Sequence, residues 1–92
     1  MAAGGAAAAA AAIAQAIKAS GVLVRLEPEE FAKLLGRMSE PLIVYAQGGI
    51  FRTRHQYLVS YKGLAFFTVS RDPLPLPAGT ELVTARRIWV PG

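Results

Sequence analysis

No cysteine occurs among the 92 residues. That excludes a disulfide framework, a thiol nucleophile and a thiolate metal site, and leaves the compartment open. One histidine, His55, is present, so one chain cannot supply a histidine metal cluster, and a histidine-centred triad would have to rest on His55 itself. Its setting, RTRHQ, reads as an exposed basic loop. Carboxylates are few. Glu27, Glu29 and Glu30 are accounted for by the start of a helix, and Glu40, Asp72 and Glu81 are scattered. Gly48-Gly49 lacks the spacing and the following Lys-Ser/Thr of a phosphate loop and reads as a turn or bulge. Pro73, Pro75 and Pro77 lack the three-residue spacing of a PxxP ligand and read as a stiff, extended connection. The expectation is a protein that is not an enzyme and takes no cofactor, metal or small-molecule substrate.

Acidic residues are also missing from one half. Up to Val44, Lys18, Arg25, Lys33 and Arg37 balance Glu27, Glu29, Glu30 and Glu40. From Tyr45 onward, Arg52, Arg54, Lys62, Arg71, Arg86 and Arg87 face only Asp72 and Glu81. The net charge of +4 therefore sits in the second half, and such a surface favours anionic partners. Arg52, Arg54, Arg86 and Arg87 are the candidate anion contacts. Arg52-Thr53-Arg54, if extended, turns two guanidinium groups to one side.

What the chain has in excess is alanine. MAAGGAAAAAAAIAQAIKASGVLV carries no charge before Lys18 and has strong helix propensity outside Gly4 and Gly5. Between Ala2 and Ser20, Ile13 and Ile17 are the only large apolar side chains, four residues apart on one helical face. A helix from Ala2 to Ser20 would be about 28 Å long, near the thickness of the hydrocarbon layer of a bilayer. The small residues Ala9, Ala12 and Ala16, with Ile13 and Ile17, suit close approach by a neighbouring helix. The favoured reading is an arm embedded in a membrane or packed in a larger membrane protein complex. Lys18 and Arg25 at its C-terminal end would then place the following domain in the cytoplasm. The alternatives are a helix docking in a partner's groove or against the chain's own sheet, an alanine tail without a specific role, and a signal peptide.

The remainder reads as a small domain over residues 21–92 behind the arm of residues 1–20. GVLVRLEP alternates as a short strand. Pro28 fits the first helical position, Glu29 and Glu30 complement the helix dipole, and Phe31, Leu34, Leu35 and Met38 form one apolar stripe. PLIVYAQGG is a second strand. QYLVSYKGLAFFTVS is a hairpin turning at Lys62-Gly63, pairing Tyr61 with Leu64, Val59 with Phe66 and Tyr57 with Thr68. ELVTARRIWVPG supplies a last strand over Leu82 to Val90. The fold class is α+β, with an N-terminal Ala-rich helix, one amphipathic helix and a mainly antiparallel sheet of about four strands.

Both faces of the hairpin are largely apolar: Tyr57, Val59, Tyr61, Leu64 and Phe66 on one, Leu58, Ser60, Ala65, Phe67 and Val69 on the other. A sheet with one wet face alternates apolar with polar, so the face not taken by the amphipathic helix needs a second cover. The functional expectation is a small non-catalytic accessory or scaffold protein, membrane-associated, with its basic β-rich domain at the cytoplasmic surface and facing anionic lipid or an acidic protein. The rival from another class is a soluble cytoplasmic nucleic-acid-binding module, in which the cations accompany Phe51, Tyr57, Tyr61 and Trp89 as a stacking platform.

Overall fold

The computed structural model describes residues 11–18 and 23–85. Within them the chain is α+β, with two helices and a five-stranded mixed sheet. Residues 11–18 form helix α1. Strand β1 (Leu23–Arg25), helix α2 (Pro28–Gly36), and strands β2 (Leu42–Gly48), β3 (Arg54–Tyr61), β4 (Leu64–Ser70) and β5 (Glu81–Thr84) follow. The sheet order is β1-β4-β3-β2-β5.

The expectation of about four, mainly antiparallel strands is corrected here. The three central strands form an antiparallel meander, but both edges are parallel: β1 beside β4 and β5 beside β2. Parallel pairing requires a long crossover, and the chain has two. Helix α2 carries it from β1 to β2. The proline-punctuated stretch between Ser70 and Glu81 carries it from β4 to the far edge. The last strand is described over Glu81–Thr84; residues 86–90 of the expected strand lie outside the described part.

Local chemistry explains α2. Glu27 is extended (φ −66°, ψ 153°), Pro28 occupies the first turn, and Glu29 and Glu30 sit where the helix dipole favours negative charge. The helix stops at Gly36, short of Met38, because the Arg37 and Met38 N–H groups donate to Leu34 and Leu35 carbonyls three residues back, tightening the final turn. Of its apolar stripe, Phe31 and Leu35 are fully buried and Leu34 and Met38 only partly so.

The β3–β4 hairpin has the register its sequence implies, Tyr61 opposite Leu64, Val59 opposite Phe66 and Tyr57 opposite Thr68. The turn residues Lys62 and Gly63 both have positive φ (50° and 80°), which matches the right-handed strand twist.

The two faces bury separate cores. Phe31 and Leu35 of α2 pack with Ile43, Tyr57 and Val59, and Leu74 and Leu76 of the proline stretch close the same face. On the other face Ile13 and Ala16 of α1 pack with Ala46, Leu58, Ala65 and Phe67. The second cover that the apolar hairpin requires is thus supplied by the chain itself. Three of these residues are alanines on facing elements, and small side chains there let the helix backbone lie close to the sheet.

Candidate interaction surface

Within the described part of the Ala-rich arm, Ile13 and Ala16 pack on the chain's own sheet. Ile13 is 7% exposed and Ala16 3%, while Ile17 is 38% exposed and Ala12 faces solvent. Ala9 lies outside the described residues. Ile13 and Ile17 therefore do not form one buried stripe; the buried pair is Ile13 and Ala16, three residues apart. Of the helix expected over Ala2 to Ser20, residues 11–18 are described, and no described helix is long and apolar enough to cross a membrane.

The other end of the sheet is where apolar surface is left uncovered. Strands β2 and β3 pair down to Gly48 opposite Arg54, and residues 49–53 form the tip. Gly49 has φ +88° and Arg52 φ 55°. The Arg52 N–H donates to the Gly49 carbonyl at 3.3 Å, so the tip is a closed turn. At Gly48 a Cβ would come within 2.9 Å of the Gln56 side-chain amide, which would have to turn aside to admit one. The turn holds Ile50 91% exposed and Phe51 83% exposed. These are by far the most exposed large apolar side chains among the described residues. A pair standing side by side at the end of a hairpin, with both sheet faces already covered, is the kind of exposed apolar feature that marks a contact site.

Cations border the pair. Arg52 and Arg54 are exposed. Arg52 is not extended, so the alternation that would aim both guanidinium groups to one side does not hold. Arg52 instead lines a groove of about 310 Å³ with Tyr45, Gln47, Thr84 and Ala85. Arg54 opens β3. Arg71, also exposed, follows Ser70, the residue paired with His55, and so lies at the same end of the sheet. Arg86 and Arg87 are outside the described residues.

The base of the tip is stiffened by aromatic groups. Tyr45 Oη and His55 Nδ1 are 2.7 Å apart, their rings stacked with centroids 5.8 Å apart. Tyr45 also meets Tyr57 at 5.2 Å. His55 is therefore a partly buried strand residue with a phenol partner, and the loop setting expected from RTRHQ is corrected. Tyr57 is in the core and accepts a hydrogen bond from the Leu74 N–H at 3.0 Å. Burial pushes its phenol above the ordinary value of 10.0, Tyr45 adds to the rise, and the Leu74 hydrogen bond opposes it.

These placements separate the aromatics grouped by the platform reading. Tyr57 is buried, Tyr61 is at the opposite end of β3 from Arg54, and Trp89 lies outside the described residues. Of those described, Phe51 is the one beside Arg52 and Arg54. Ile50 has no mark in sequence beyond its place in GGIFRTR, an apolar pair set between a glycine turn and two arginines. Among the described residues no three His, Asp or Glu side chains gather as a metal site. Comparison of the chain with protein-family profiles, with curated proteins and with solved structures finds no match in any of the three.

Proposed function

We propose that this chain is a non-catalytic attachment module, a small accessory protein held against a larger cellular structure by the tip of its β2–β3 hairpin. The single observation carrying this reading is the exposure of Ile50 and Phe51, 91% and 83%, on a turn closed by its own hydrogen bond. Hydrophobic burial is the main favourable term in association, and two adjacent side chains in water on a fixed turn are available for it at little ordering cost. Arg52, Arg54 and Arg71 lie exposed at the same end of the sheet, which favours an anionic counterpart.

The reading transfers the contact role from the Ala-rich arm, whose Ile13 and Ala16 are occupied with the chain's own sheet, to the opposite end of the meander. Cell fractionation tests it. The full chain is expected to appear in a particulate or high-mass fraction, and I50S/F51S, with unchanged circular dichroism, in the fraction of free protein. The same distribution for both proteins would overturn the proposal.

A further inference from the structure

We infer, resting on that attachment reading, that the counterpart is an anionic lipid bilayer, with Ile50 and Phe51 entering the boundary between headgroups and acyl chains and Arg52 and Arg54 contacting phosphates. Three observations point to lipid. The apolar element is a convex tip, and a convex tip of two residues suits a deformable interface better than a preformed protein pocket. It pairs an aliphatic with an aromatic side chain, and aromatic rings are favoured at the level of headgroups. Cations lie directly beside the apolar pair in sequence, Arg52 following Phe51 and Arg54 starting the strand, both exposed, the arrangement in which burial and attraction to a negative leaflet act together.

The distribution of charge sets an orientation. Arg71 stands at the same end of the sheet, accompanied by Asp72. Glu27, Glu29 and Glu30 also fall near that end, because β1 runs parallel to β4 with Arg25 opposite Phe67. They belong to the β1 edge, however, which the order β1-β4-β3-β2-β5 separates from the hairpin by the width of β4. A membrane meeting the β2–β3 tip first would be approached with the β1 edge tilted away, keeping those carboxylates clear of anionic lipid.

Vesicle sedimentation with the purified full chain decides the matter. Wild type is expected to bind vesicles of phosphatidylcholine with roughly 30% phosphatidylserine, and to bind phosphatidylcholine alone far more weakly. R52Q/R54Q should lose about 25-fold in affinity for the anionic vesicles, about fivefold for each arginine, with little change on neutral ones. I50S/F51S should lose at least tenfold on the anionic vesicles. As a second probe that keeps the apolar surface, Phe51→Trp should bind as wild type does and show a blue-shifted emission on anionic vesicles, after subtraction of the Trp89 signal. Failure of wild type to bind, binding that ignores I50S/F51S, or a concentration-dependent dimer lost in I50S/F51S without vesicle binding would each overturn the lipid assignment. If wild type ignores vesicles while I50S/F51S still leaves the particulate fraction of cells, lipid is wrong and attachment through the tip to a protein stands. If I50S/F51S changes neither, both fall.

Discussion

The phenol oxygen of Tyr57 accepts the backbone N–H of Leu74 at 3.0 Å, joining the middle strand of the sheet to the proline stretch seventeen residues further on. This contact holds the crossover that brings β5 to the outer edge of β2. Removing the acceptor in Tyr57→Phe leaves the Leu74 N–H unpaired in a part-buried position, and urea unfolding should show a loss of about 1–2 kcal/mol.

The same side chain makes stability depend on alkaline pH. Burial raises the Tyr57 phenol above its ordinary value of 10.0, so the folded chain holds that proton more tightly than the unfolded one. Its contribution is complete below about pH 10 and is lost as pH rises from there through the raised folded value. Urea midpoints at about pH 8 and about pH 11 should differ more for wild type than for Tyr57→Phe. Equal differences would show that Tyr57 is not the group responsible.

Ala16 is 3% exposed and in one cluster with the fully buried Ala46 and Ala65. Ala16→Leu should cost about 1–3 kcal/mol by overpacking, whereas Ala12→Leu, on the exposed side of the same helix, should stay within about 0.5 kcal/mol. A chain beginning at Gly21 would uncover Leu58 and Phe67 and should bind a hydrophobic dye that full-length protein ignores.

Thr68 is fully buried, and its hydroxyl has no hydrogen-bond partner among the described residues. Thr68→Val has nearly the same shape and removes the desolvated hydroxyl, so thermal or urea unfolding should show a gain of about 1 kcal/mol. A loss would mean that the hydroxyl is satisfied in solution.

At the β3–β4 turn, Lys62 holds φ 50° and Gly63 φ 80°, and asparagine tolerates the first position better than lysine. Lys62→Asn should stabilise by about 0.5–1 kcal/mol, and Gly63→Ala should destabilise by about 1 kcal/mol. On α2, Leu35→Ala should cost about 2–5 kcal/mol and Leu34→Ala, only partly buried, less.

The sequence by itself determined what depends on neighbours along the chain. Pro28, Glu29 and Glu30 start α2, Lys62-Gly63 turns the hairpin, and the two-residue alternation assigns Leu58, Ala65 and Phe67 to one face and Tyr57, Val59 and Phe66 to the other. Only the tertiary structure decided which cover lies on the second face. Alanine fits closely against any surface, so Ala12 and Ala16 carry no mark distinguishing a membrane helix, a partner's groove and the chain's own sheet. The parallel edges were hidden for a related reason: β1 and β4 are about forty residues apart, and no turn residue records a pairing made across that distance. Exposure of Ile50 and Phe51 was also beyond the sequence. An apolar pair enters a core or stands in water according to what packs around it, and here α1, α2 and the proline stretch cover the sheet but not the tip of its β2–β3 hairpin.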